Sequence, residues 1–223
     1  MTARPEDPAR SAPGSHEFHT VSSRTVYSGA ILALRLDRVR MPGGRIAERE
    51  VVEHHGAVAV CAVDDDGSVV LIRQYRHPLG ERLLELPAGL LDVPGEDPLE
   101  AARRELAEET GLAARDWSVL VDMALSPGFT DETLRVYLAR DLYDTHRPEP
   151  ELEEADLELV RMPVSEAVRA ALAGKIVNAT AVAGLLALNT AETGSLPLRP
   201  ADAPWPGQST ALLRRQAARR FED

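Results

Sequence analysis

Glu105, Glu108 and Glu109 are the residues whose type and spacing invite chemistry. On a helix turning about 100° per residue they fall within an arc of roughly 100°, so three carboxylates share one face. Like charges at such spacings destabilise an isolated helix by about 0.2–0.5 kcal/mol per pair, and something must compensate. A solvated acidic face with Arg103 and Arg104 as partial counterions is one solution. The other is a site for hard divalent cations, which prefer carboxylate oxygens and, when magnesium, keep waters and bind substrate phosphates. The helix alone does not choose between them.

The helix has its own start and stop signals. Asp97 suits the N-cap, Pro98 the first helical position, and Glu100 stands at capping-box spacing from the cap. Gly111 is the residue type that ends a helix in the left-handed conformation. The spacing therefore predicts a helix from about 98 to 110, with Leu99, Ala102 and Leu106 on the side adjoining the acids.

The surrounding wording is more specific than the helix. The stretch from Gly89 to Leu112 resembles the Nudix box, the signature of hydrolases acting on a nucleoside diphosphate linked to another moiety. Glu96, Arg104, Glu105, Leu106, Glu108, Glu109, Gly111 and Leu112 stand in register with its fixed positions. One departure is present: six residues, not five, separate Gly89 from Glu96, an insertion expected to alter the loop and leave the carboxylate spacing intact. The resemblance favours the metal site. It implies that Glu105 and Glu109, with the carbonyl of Ala88, hold Mg2+ or Mn2+, that Glu108 holds or shares a further ion, and that two or more ions occupy the site. Arg104 is expected to orient a glutamate through a bidentate pair, and Glu96 to brace the loop.

Pro127 lies sixteen residues after Gly111, inside Ser126-Pro127-Gly128-Phe129-Thr130-Asp131-Glu132. A proline at that offset in such a loop is similar to the ADP-ribose pyrophosphatase subgroup. That similarity implies hydrolysis of the pyrophosphate of ADP-ribose to AMP and ribose 5-phosphate by a homodimer whose N-terminal sheet helps build the partner's site. It also implies a catalytic glutamate on the acidic loop 147–156, Glu153 or Glu154. Arg76 and Arg82 are candidates for the diphosphate, Tyr75 or Phe129 for stacking, and Glu132 for a substrate contact within the Pro127 loop. Hydrolysis of another nucleotide sugar or of a dinucleotide stays open, as does a domain that senses ADP-ribose without cleaving it.

The elements that must position these groups follow the hydropathy pattern. Residues 1–15 have the composition of a disordered terminus. Residues 16–54 alternate as three strands around a Pro42-Gly43-Gly44 turn, predicting a small antiparallel sheet with a role in dimerisation. Strands at 55–63, 68–75, 83–86, 118–125, 133–139 and 157–162, the box helix, and apolar helices at 163–173 and 178–188 predict a catalytic domain over 55–190. Its class is α/β (α+β), and the resemblance implies an α/β/α sandwich built on a mixed sheet. Residues 191–223 are expected to be a proline-rich linker and a short basic helix docking on its own chain or a dimer mate.

Composition sets outer limits. The 223 residues are 44% hydrophobic and 27% charged, the balance of a globular protein with a sizeable core. A net charge of −11 argues against nucleic acid as a partner, so a polyphosphate substrate needs cations and local arginines. The absence of a long apolar run and of an apolar leader predicts a cytoplasmic protein with no membrane partner. Cys61, the single cysteine, lies in an apolar run and reads as a buried structural thiol.

Overall fold

The computed structural model describes residues 14–149 and 155–219. The chain divides into two compact units, one drawn from Met1–His55, Leu125–Glu132 and Ser209–Asp223, the other from Gly56–Ala124 and Thr133–Gln208.

In the first unit, β1 (Thr20–Ser28), β2 (Leu32–Arg40) and β3 (Ile46–His54) form an antiparallel sheet in chain order. Gly43 and Gly44 carry the β2–β3 turn at φ of 81° and 82°, a region that residues with a Cβ rarely enter. The end of β3 holds the 125–132 loop. The Val52 N–H donates to the Phe129 carbonyl at 2.7 Å, and the His54 N–H donates to Asp131 Oδ1 at 3.0 Å. The basic C-terminal segment forms α4 (Ala211–Arg219) and docks here: Arg215 donates from Nε and Nη2 to the buried Glu53 carboxylate at 2.6 and 2.9 Å. Glu53 is bound by Arg35 as well, and these cations, Arg215 first, hold its carboxyl below the usual range.

In the second unit, β4 (Ala57–Val63) is buried along its whole length, as a strand covered on both faces must be. The sheet order is β10 (Glu158–Pro163), β5 (Ser68–Arg76), β4, β9 (Thr133–Asp144), β8 (Leu112–Ala124) and β11 (Arg199–Pro200). Its β4–β9 pair is parallel and the other pairs on that path are antiparallel, so the sheet is mixed. Short strands β6 (Glu81–Glu85) and β7 (Ala88–Leu90) pair with β5 and β4.

Side-chain alternation assigns the two faces. Val58, Val60 and Ala62 of β4 join Tyr137 and Ala139 of β9 in one core with Ala101, Ala102 and Leu106 of α1 (Pro98–Thr110). α3 (Ala179–Gly194) packs on the other face, which carries Cys61 and Val136, and α2 (Val164–Leu172) packs against α3. Gly184 lets α3 come close: a Cβ there would stand 2.8 Å from Leu86 Cδ1 and 3.2 Å from Cys61 Sγ. Helices on both faces of a mixed sheet make the α/β/α sandwich. Cys61 is buried in it, and burial pushes its thiol up to about 12.

The proline-rich stretch after 190 is more ordered than its composition suggests. α3 continues to Gly194 and β11 pairs with β8. Arg135, only 2% exposed, donates to Asp122 at 2.7 and 3.0 Å and to the carbonyls of Ala203 and Pro204 at 2.7 and 3.2 Å, with its guanidinium over the Trp205 ring. A buried cation satisfied by backbone carbonyls fastens this strap to the domain.

Candidate active site

Helix α1 occupies the predicted span. Asp97 Oδ1 accepts from the Leu99 N–H at 2.9 Å and Pro98 begins the helix; Gly111 ends it at φ 71°, its N–H returning to the Ala107 carbonyl. The reciprocal half of the expected capping box is not made, because Glu100 pairs with Arg103 instead. The six-residue interval after Gly89 is absorbed in a turn. Pro94 and Gly95, the latter at φ 81°, are its central residues, and the Glu96 N–H donates to the Val93 carbonyl at 3.2 Å. The insertion therefore leaves the helix in register with its acids.

One guanidinium organises those acids. Arg104 grips Glu96 bidentately, Nε to Oε1 and Nη2 to Oε2 at 3.0 Å each, while its Nη1 donates to Glu105 at 2.6 Å and to Glu108 at 2.9 Å. The crowding of like charge visible in the sequence is thus offset by a single delocalised cation, which suits planar bidentate pairing. Arg104 holds Glu96 below the usual carboxylate range, chiefly by this hydrogen bonding, and its own proton is bound more tightly in return.

The strand-loop segment before the helix meets the same acids. The Ala88 N–H donates to Glu109 Oε2 at 2.9 Å, and Glu109 is only 5% exposed. Gly89 leaves room for an acid: a Cβ at this position would overlap the Glu105 carboxyl where it now lies. β7 therefore presents bare backbone to the carboxylate face of α1, and it is the Ala88 amide that meets Glu109 there.

Among the described residues, no three carboxylates, imidazoles or thiols are gathered as a ready-made cation cage. In this arrangement Glu105 and Glu108 are turned to Arg104, and Glu109 to the Ala88 amide. The donor set nonetheless fits a hard divalent cation. Its oxygens are carboxylates, and two of them already converge on one cationic nitrogen.

The remaining candidates are placed as follows. Arg76 forms a bidentate pair with the buried Glu85 at 2.9 and 2.7 Å, and Arg82 pairs with Asp156. Tyr75 is 40% exposed, its ring edge-on to His77. Phe129 and Glu132 belong to the other unit. There Phe129 is exposed, and Glu132 stands 3.4 Å from His54, with burial pushing its carboxyl up. Glu153 and Glu154 lie outside the described residues. Sequence reasoning missed Glu85, whose inward place in β6 was legible from strand alternation, and Arg147, which reaches Glu108 from beyond β9 and has no local signal.

Comparison with known proteins places the chain in a family. Residues 53–183 match the NUDIX domain, and residues 18–52 match the nucleoside diphosphate sugar hydrolase N-terminal domain. An ADP-ribose pyrophosphatase of Mycobacterium tuberculosis is 54% identical over 204 residues, 92% of this chain and 99% of that protein. An ADP-ribose pyrophosphatase of Bacillus subtilis is 36% identical over 155 residues, 70% of this chain and 83% of its own. A crystal structure of an ADP compounds hydrolase superposes with a TM-score of 0.70 at 25% identity, covering 81% of this chain and 96% of that one. With a domain match spanning more than half its length and a relative this similar over nearly all of it, the chain belongs to the Nudix family.

Proposed function

We propose that this protein hydrolyses the pyrophosphate bond of ADP-ribose, giving AMP and ribose 5-phosphate, in a reaction that depends on divalent metal ions. The observation that carries the proposal is the box helix itself: Glu105, Glu108 and Glu109 turned toward one arginine and one glycine strand, in a chain 54% identical to an ADP-ribose pyrophosphatase over nearly its full length.

Glu105, Glu108 and Glu109 with the Ala88 carbonyl would hold the ions, Mg2+ or Mn2+ and two or more per site. Bound there, the ions would polarise phosphoryl oxygens and lower the pKa of a water. The chain's own contribution is positional. Arg104 keeps the acids on one face, and Glu96 keeps Arg104 in place through two hydrogen bonds. Arg76 and Arg82 contact the diphosphate in this proposal, exchanging the carboxylates of Glu85 and Asp156 for phosphate oxygens. Tyr75 or Phe129 stacks the base, Glu132 contacts the substrate, and Glu153 or Glu154 takes the proton of the attacking water. Residues 16–54 serve a homodimer and 55–190 carry catalysis, the protein working in the cytoplasm. No helix among the described residues is long and apolar enough to cross a membrane.

The test is AMP release, with Mg2+ or Mn2+ and with chelator, from ADP-ribose, other nucleotide sugars and dinucleoside polyphosphates. ADP-ribose is expected to give the highest kcat/KM, and chelator to abolish turnover. A better substrate elsewhere in the panel, or metal-independent release, overturns the proposal. In the same assay Glu153→Gln is expected to lower kcat far more than metal affinity. If Glu154→Gln alone does so, the base is Glu154.

A further inference from the structure

Helix α1 places Glu108 and Glu109 in a last turn that contains no basic residue of its own. This is an unfavourable position for acids, since a helix C-terminus carries partial negative charge and its final carbonyls lack intrahelical donors. A cation arrives from outside the helix. Arg147, three residues beyond β9, donates from Nε to the Glu108 carbonyl at 2.9 Å. The backbone leading to it is tied to the same turn, the Thr145 N–H donating to the Gly111 carbonyl at 2.9 Å. A Cβ on Gly111 would lie 3.4 Å from Arg147 Cβ, so this side chain packs directly beside the cap glycine. The Arg147 Nη2 is buried and has no hydrogen-bond partner among the described residues. Arg147 is half-buried and this nitrogen is shielded from water, so an exposed arginine picking up a stray carbonyl does not describe it.

We propose that Arg147 is a positioning residue for the proposed metal site: it fixes the last turn of α1 through the Glu108 carbonyl and so sets the Glu108 and Glu109 carboxylates in place. The inference rests on the metal-binding function proposed for those acids. Two effects of Arg147 oppose one another. Its charge repels a divalent cation, whereas its hydrogen bond orders the ligands. Positioning dominates only if removing the guanidinium weakens metal binding; a mere counterion would strengthen it on removal.

The experiment uses the full chain, stripped of metal and titrated with Mn2+ by calorimetry, comparing wild type with Arg147→Met, Arg147→Lys and Glu109→Gln. Arg147→Met is expected to lose about 10-fold in Mn2+ affinity and a similar factor in kcat, with KM for ADP-ribose changed less than about 2-fold, the range seen when outer partners of metal ligands are removed. Hydrogen exchange at the Glu108 to Leu112 amides of the metal-free protein is expected to quicken, and Arg147→Lys to recover most of the affinity by keeping a cation at the carbonyl. If Arg147→Met does not fold, Arg147→Gln replaces it, with the same weakening expected. Mn2+ binding as tight as wild type or tighter in Arg147→Met or Arg147→Gln, with Glu109→Gln impaired, overturns the inference and leaves the metal site standing. Wild-type Mn2+ binding by Glu109→Gln overturns both.

Discussion

Replacing Arg104 by Gln tests whether one guanidinium keeps the carboxylates of the box helix compatible with a folded domain. The change removes four hydrogen bonds, two to Glu96 and one each to Glu105 and Glu108. Breaking a fully buried ion pair costs about 3–5 kcal/mol, but Arg104 is 32% exposed and solvent screens part of the loss, so about 2–3 kcal/mol is expected at pH 7. For a chain of this length, about 2–4 °C of Tm per kcal/mol converts this into a fall of roughly 4–12 °C. The pH dependence has a definite sign. Glu96 has a depressed pKa in the folded state, so its pairing contributes fully above the unfolded value of 4.5 and is lost as pH falls through the lower folded value. The Tm difference between wild type and variant is therefore constant near neutrality and shrinks below about pH 4.5. Calorimetric melts from pH 3 to 8 in chelator measure it. In a parallel set, Mg2+ is expected to raise the variant's Tm more than the wild type's, because an added cation takes over the neutralisation of Glu105 and Glu108. Equal melting temperatures at pH 7 in chelator, or a gap that widens on acidification, would refute the reasoning.

Two further outcomes follow from contacts at single atoms. Gly89→Ala places a methyl group where the Glu105 carboxyl now lies, so Glu105 must swing away; kcat should fall by about 10–100-fold with weakened Mn2+ binding, and wild-type turnover would show that Glu105 is dispensable. Cys61, fully buried with its thiol pushed up to about 12, should resist an aromatic disulfide reagent at pH 8 in the native protein and react at once in denaturant, whereas rapid native labelling would contradict the packing of α3 over β4.

The sequence and the structure agree best where the chemistry is local. Both ends of α1 were legible because a cap residue, a proline and a terminal glycine each act within a turn of themselves. The strands were legible by alternation, although their ends shifted by one or two residues and β8 and β9 ran several residues further, stabilised by their pairing with each other. The strap after 190 was not legible, because what orders it is Arg135, far away in sequence and indistinguishable there from any strand arginine. Arg76 and Arg82 illustrate the same limit: their type pointed to phosphate, but only the fold shows that Glu85 and Asp156 already engage them.

The acids of the box divide into two kinds, and this division gives the arrangement its logic. Glu96 takes the Nε and Nη2 edge of Arg104, while Glu105 and Glu108 share Nη1. Drawing Glu105 and Glu108 toward a metal ion would break the Nη1 bonds and leave the bidentate pair with Glu96 intact, so the arginine stays on its face of the helix while its other partners change. Glu109 lies outside this exchange, held by the Ala88 amide. A lysine at 104 could not divide its contacts in this way, since an ammonium offers no fixed fork of donors. Arg104→Lys should therefore preserve charge yet lose most of the benefit of Arg104, with a Tm close to that of Arg104→Gln in chelator. A Tm at the wild-type value would mean that charge alone, and not the geometry of the fork, holds the acids together.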